Sequence, residues 1–194
     1  MHDFENIRIG FAMTGSFCTF QQAFQQAEYL TSCGAELIPI MSANASQIST
    51  RFGTASEMRE RLENIAKRKI ISSIEDAEPI GPKQLTDIML VEPCTSNTAA
   101  KLALSITDSP VTMAVKSHLR GQKPVVLAIA SNDALAGTLK NIGLLANSKY
   151  YYFVPLRQYY SVKKPNSLVA DFGLTADTLV NALNGRQFQP CLFM

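Results

Sequence analysis

Short apolar runs alternate along the chain with longer stretches of three- to four-residue periodicity. Residues 7–13 (IRIGFAM) form a run of the kind expected of a strand buried on both faces. After Thr14-Gly15-Ser16 the period changes. Phe17, Phe20, Phe24, Ala27 and Leu30 fall on one helical face, and Cys33-Gly34 ends the helix, with Gly34 suited to a left-handed cap. Residues 36–41 (ELIPIM) predict a second strand, where Pro39 argues for an edge position or a bulge. Thr54 and Glu57 have capping-box spacing at the start of a helix that turns Met58, Leu62 and Ile65 inward. Arg59, Arg61, Lys67, Arg68 and Lys69 lie mostly elsewhere on that helix and are expected to form a solvated face.

Pro79, Gly81 and Pro82 break the chain before a strand at 87–91 (DIMLV), which runs through Glu92-Pro93-Cys94-Thr95-Ser96-Asn97-Thr98 into an Ala/Leu-rich helix. Residues 125–130 (VVLAIA) predict another strand, with Asp133 capping a helix through Leu139 and Leu145. Residues 150–156 (YYYFVPL) predict a further strand, 157–166 a polar surface loop, and 175–184 a closing helix ended by Gly185. Strands alternating with helices imply an α/β fold, a three-layer doubly wound parallel sheet. One domain spanning 1–194 is expected, with 157–194 as a C-terminal extension. Right-handed crossovers place a binding site at the carboxyl ends of the strands.

The chain has 194 residues, 46% hydrophobic and 18% charged, enough to bury one sizeable core. A net charge of +2 does not mark a nucleic-acid binder. No apolar run is long enough for a bilayer, and MHDFENIRIG does not read as a secretory signal. The four cysteines, Cys18, Cys33, Cys94 and Cys191, form no C-x-x-C pair and are read as reduced thiols of a cytoplasmic protein, with no metal site. Residues 191–194 (CLFM) fit the prenylation pattern, but no polybasic second signal precedes them, and the match is read as chance.

Three loops fall at the same end of the predicted sheet. In Thr14-Gly15-Ser16, a glycine permits close backbone approach to an anion, the hydroxyls add hydrogen bonds, and a helix N-terminus follows. The arrangement suits a phosphate monoester and equally a plain tight turn; neither the dinucleotide fingerprint nor the Walker lysine is present. Ser42, after the second strand, can reach a phosphate or sugar hydroxyl, or simply make a turn. Thr95, Ser96, Asn97 and Thr98 place four polar side chains where a helix begins, more than one N-cap requires. Ser131-Asn132-Asp133 ends another strand in the same way, and Asn132 can point into the crevice. Cys18 and Cys94 flank this region and are read as buried small hydrophobes rather than nucleophiles.

Residues 93–98 (PCTSNT) resemble the P-A-S-A-N-T motif of flavin-binding cysteine decarboxylases and the P-C-S-x-K-T stretch of flavin prenyltransferases. Residues 123–132 (KPVVLAIASN) resemble K-P-V-V-I-A-P-A-M-N of the former. Within that group the chain resembles the family of dipicolinate synthase B-subunits, through residues 9–18 (IGFAMTGSFC), 163–170 (KKPNSLVA) and 185–190 (GRQFQP). The resemblance implies a flavodoxin-like, Rossmann-like fold and a homo-oligomer built from trimers. It implies a role in making pyridine-2,6-dicarboxylate during bacterial sporulation, in the mother-cell cytoplasm, from a hydroxylated dihydrodipicolinate-level intermediate of the lysine pathway. The implied partner is the dipicolinate synthase A-subunit, a Rossmann-type chain that would bring NADP.

On this reading FMN is the cofactor. Thr14, Gly15, Ser16, Ser42, Thr95, Ser96 and Thr98 would bind it, while Asn97 and Asn132 would address a small dicarboxylate substrate as catalytic residues. Lys101, Lys116 and Arg120 are available as cations but read better as helix-surface residues. The Tyr159-Tyr160-Ser161 loop is a candidate docking surface for the A-subunit. One departure counts against family-type decarboxylation: Glu78-Pro79-Ile80-Gly81 stands near the place of the decarboxylase histidine. Of the two histidines, His2 is expected on a frayed terminus and His118 on a helix surface. The alternatives are a non-catalytic anion-binding partner of the A-subunit and a self-sufficient FMN-dependent enzyme.

Overall fold

The computed structural model describes residues 2–193. Five strands form a parallel sheet: β1 (Arg8–Met13), β2 (Glu36–Met41), β3 (Ile88–Cys94), β4 (Val125–Ser131) and β5 (Tyr151–Phe153), in the order β2-β1-β3-β4-β5. β3 and β4 are buried at every position, which explains why they read as unbroken apolar runs. β2 is the outer strand and accommodates Pro39. The Pro39 carbonyl faces outward and accepts from the Ile71 N–H at 2.9 Å, so the missing N–H also falls on the outer side.

The predicted strand at 150–156 divides in two. β5 ends its parallel pairing with β4 at Leu127↔Phe153. Pro155 interrupts the run, and β6 (Leu156–Arg157) joins an antiparallel group with β7 (Leu168–Ala170). β7 pairs antiparallel with the last residues of β4, Ala130↔Val169 and Ser131↔Leu168. β8 (Leu192–Phe193) lies parallel to β6. The chain after 157 therefore extends the sheet beside the carboxyl end of β4. Cys191 is half-buried beside β8, and Met194, the last residue of the prenylation pattern, lies outside the described residues.

Helix α1 (Phe20–Ser32) packs against α3 (Ala55–Ala66), after the short α2 (Ala43–Gln47). α4 (Ile74–Ala77), α5 (Ser96–Ala103), α6 (Pro110–Leu119) and α7 (Leu139–Ala146) form a second contiguous group, while α8 (Thr175–Leu183) packs on β3, β4 and β5. Gly34 closes α1 at φ +92°, and the Thr54–Glu57 capping box is present.

The basic cluster is a solvated face, as expected: Arg59, Lys67, Arg68 and Lys69 are exposed, and Arg61 alone is half-buried. Arg61 lies 4.6 Å from the Phe24 ring centroid and donates to Gln21 and Glu28, joining α3 to α1, while Arg68 pairs with Glu36 and Lys69 with Glu63. Asp133 does not cap α7, which begins six residues later. It sits in a series of turns, and its carboxylate accepts from Thr138 Oγ1 at 3.1 Å.

Candidate functional site

The carboxyl ends of β1, β3 and β4 are joined by their own hydroxyl groups. Thr14, after β1, donates from Oγ1 to the Pro93 carbonyl (2.7 Å) and accepts the Thr95 N–H (2.9 Å). Thr95 caps α5 by accepting from the Thr98 N–H, and its hydroxyl lies 3.1 Å from that of Thr98. Thr14 and Thr98 are buried, so these three threonines chiefly lock the first loop to the third. Ser96 reaches across to the fourth loop, with Oγ 2.7 Å from Ser131 Oγ and donating to Asp133 Oδ1 at 2.7 Å. The Ser131 and Ser96 hydroxyls hold the Asp133 carboxyl below its ordinary range. Ser42 caps α2 by accepting from the Ala45 N–H.

What remains open faces a cavity of about 580 Å³. Ser16 and Asn132 line it together with residues of α1 and of the chain from Tyr159 to Gly173. The helix does not begin at Ser16, as the sequence suggested. A 3-10 turn at Phe17–Thr19 intervenes, Thr19 stands at the N-cap position of α1 with its hydroxyl donating to the Ser16 carbonyl at 2.8 Å, and neither Ser16 nor Thr19 makes a side-chain cap bond. The Ser16 hydroxyl is left available beside Gly15. A Cβ placed on Gly15 would lie 3.5 Å from Asn44 Cβ, an ordinary van der Waals contact that brings the first and second loops side by side there. Asn97 is exposed in the first turn of α5 and does not line the cavity.

The cations considered from sequence lie elsewhere. Lys101 pairs with Asp108, Arg120 lies 3.9 Å from Glu78, and Lys116 and Arg120 line a different depression. The lysine that lines the cavity is Lys164. Sequence reasoning missed it because a polar loop with a proline carries no periodicity to orient its side chains. Its place in the stretch 163–170 was the available signal.

Both histidines differ from expectation. His2 bridges Tyr29 and Asp177, at 2.9 Å each. His118 is buried at the opposite end of the sheet, within hydrogen-bond distance of Thr86 Oγ1 (2.7 Å) and the Pro124 carbonyl (3.0 Å), and burial pushes its imidazole down to about 4. Neither lines the cavity. Cys94 is buried as expected, and burial pushes its thiol up to about 12, which makes it inert at neutral pH. Cys18 is exposed instead, at the cavity wall.

Sequence reasoning also did not single out Glu92. It is wholly buried in β3, one residue before Pro93. Its Oε2 accepts from Thr175 Oγ1 at 2.6 Å and its Oε1 has no partner among the described residues. Burial pushes this carboxyl up to about 8.

The sequence model of the family described as Flavoprotein matches residues 1–184. The dipicolinate synthase B-subunit of Bacillus subtilis (strain 168) is 42% identical over 192 residues, covering 99% of this chain and 96% of the relative. This chain belongs to the dipicolinate synthase B-subunit family of flavoproteins. The crystal structure of the B-subunit from Bacillus halodurans C superposes with a TM-score of 0.91 at 40% identity, covering 99% of this chain and 98% of that one. The FMN-dependent cysteine decarboxylase SpaF shares the fold, with a TM-score of 0.68 at 20% identity over 92% of this chain and 98% of that one. The B-subunit family therefore carries the doubly wound, flavodoxin-like architecture of this sheet, and the interlocked loops described above stand at its carboxyl edge.

Proposed function

We propose that this chain is the flavin-binding component of a two-component dipicolinate synthase. The observation that carries the reading is the opening of Ser16 and Asn132, from separate loops, into one cavity of about 580 Å³ beside the loops of Gly15 and Asn44. That size suits a cofactor-scale ligand. Of the residues proposed to hold FMN, Ser16 lines this cavity, while Thr14, Gly15, Ser42, Thr95, Ser96 and Thr98 stand on the loops at the same edge of the sheet. Gly15 and Ser16 would take its phosphate, Ser42 lies on the neighbouring loop, and Thr95, Ser96 and Thr98 would border or support the flavin site while Thr14 holds the loops in register. A bound flavin supplies two-electron acceptor chemistry, which is what aromatisation of a dihydropyridine ring requires after water is lost from the hydroxylated precursor. Asn132 would orient the dicarboxylate by hydrogen bonding; Asn97, outside the cavity lining, would take part only by turning toward it.

The A-subunit would bring NADP, and the exposed Tyr159-Tyr160-Ser161 segment is its proposed docking surface. A homo-oligomer built from trimers and a setting in the mother-cell cytoplasm during sporulation complete the proposal. A second reading has support of its own. Neither histidine reaches the cavity, so the site can instead be an anion-binding element that shapes the A-subunit.

Titration of the purified protein with FMN, followed by quenching of flavin fluorescence, separates the two. Saturable binding that Gly15→Asp abolishes supports the flavoprotein reading. Absence of binding well above the micromolar range, about −8 kcal/mol, leaves the anion-binding reading. Dipicolinate formation with each component withheld tests the two-component claim, and product from this chain alone would overturn it.

A further inference from the structure

The charge of the cavity comes from two side chains, Asp171 and Lys164. Asp171 is already engaged. Its Oδ2 accepts from Arg157 Nε at 2.7 Å, and its Oδ1 accepts from the Gly173 N–H at 3.2 Å. The ion pairs among the described residues involve other cations, not Lys164. With Asp171 neutralised by Arg157, the cavity keeps one uncompensated positive charge.

The backbone that presents this charge is tied down. The Tyr160 carbonyl accepts from the N–H groups of Lys163 (2.9 Å) and Lys164 (2.8 Å), and the Lys164 carbonyl accepts from Ser167 (3.1 Å). Gln158 donates to the Pro165 carbonyl at 2.7 Å, and the Asn166 carbonyl accepts from the Leu135 N–H at 2.9 Å. Ser167 then connects the loop to the one carrying Asn132, donating from Oγ to the Ser131 carbonyl at 3.2 Å and lying 3.4 Å from Asn132 Oδ1. The Asn132 oxygen is thereby directed at Ser167, and its NH₂ group is left to donate. Lys164 and Asn132 thus line one cavity from a tied-down backbone and bring an ammonium and an amide donor to it. That set complements a carboxylate, whose oxygens accept several hydrogen bonds.

We propose that Lys164, together with Asn132, is the carboxylate-binding residue of this cavity, and that the loop 158–166 thereby selects anionic, carboxylate-bearing ligands. The proposal rests on the reading of this cavity as the dicarboxylate site and adds the residue that recognises the charge. Lys163 supplies an internal control, because it is adjacent in sequence, equally cationic and not part of the cavity lining.

The test is calorimetric titration of pyridine-2,6-dicarboxylate into the FMN-treated protein, with Lys164→Ala, Lys164→Arg and Lys163→Ala in parallel. The wild type is expected to saturate, Lys164→Ala to weaken binding by about tenfold or more, and Lys164→Arg to stay within about threefold. Lys163→Ala is expected to stay within about twofold, and raised salt to weaken the wild type more than Lys164→Ala. No binding to the wild type at millimolar ligand, equal affinity of wild type and Lys164→Ala, or an equal loss in Lys163→Ala would each overturn the proposal. FMN titration of the same variants separates this proposal from the flavin reading. If FMN does not bind but dicarboxylate binding still depends on Lys164, the flavin reading falls and this one stands. If FMN binds and Lys164→Ala leaves dicarboxylate affinity unchanged, the reverse holds.

Discussion

At the amino ends of β1, β3 and β4, polar groups are consumed by one another. Asp87 accepts from Arg8 Nε and Nη2 and lies 3.3 Å from Lys123 Nζ, while His118 lies between Thr86 and the Pro124 carbonyl. At the carboxyl ends, threonine and serine hydroxyls interlock the loops but leave Ser16, the Asn132 amide and Lys164 facing a cavity. The amino end also borders a cavity, of about 410 Å³, but Thr86, His118 and Lys123 on its wall already bond to one another or to the Pro124 carbonyl, whereas the carboxyl end keeps donors in reserve, which is what a ligand site requires.

Four substitutions test that contrast. The largest expected effect is at Glu92, beneath the open end. The folded chain keeps this carboxyl protonated up to about 8, whereas an unfolded chain releases the proton near 4.5. The contribution of Glu92 to stability is therefore complete below the ordinary glutamate range and is lost as pH rises toward 8, by up to about 4 kcal/mol. Urea unfolding of Glu92→Gln should lose that slope; an unchanged slope would place the titration elsewhere.

His118→Ala should cost about 3 kcal/mol, by leaving buried polar partners unsatisfied and opening a void, with FMN affinity unaltered. The wild-type imidazole, depressed to about 4, contributes stability that is complete above pH 6.5 and lost as pH falls through 4. Loss of flavin binding in this variant would contradict the structural reading of the amino end.

Thr14→Val strands the Thr95 N–H and should cost about 1–2 kcal/mol. Because Thr14 locks the first loop to the third, FMN affinity should fall several-fold as well, unlike in His118→Ala. The smallest effect is expected from Asp87→Asn, about 1 kcal/mol, since the pair is part-exposed and screened. The Arg8 guanidinium holds the Asp87 carboxyl down to about 2, so the contribution is present above pH 3.8 and disappears as pH falls through 2. Acid unfolding monitored by circular dichroism reads that difference.

The order of strands and helices was legible because periodicity reports burial directly. The run at 125–130 and the stripe Phe20, Phe24, Ala27, Leu30 could fold in few other ways. The division of 150–156 was not legible, because its apolar run continues through the point where the partner changes from β4 to β7. His118 was misplaced for a related reason. Helical position gave its address on α6, but its burial depends on Thr86 and Pro124, which come from other elements. Thr14, Ser16 and Asn132 were identifiable as loop residues at strand ends, yet their division of labour was not.

By itself the sequence determined the layered α/β architecture, the restriction of Pro39 to an edge or a bulge, the capping box at Thr54 and the end of the sheet where polar loops gather. These follow from local rules of burial and backbone geometry that each segment carries alone. Tertiary structure decided which hydroxyls are spent on holding loops and which remain for a ligand. It also buried Glu92 and His118, and brought Lys164 and Asn132 to one cavity. Those outcomes depend on contacts between segments distant in the chain, where a hydrogen bond made to one neighbour withdraws the same atom from any other.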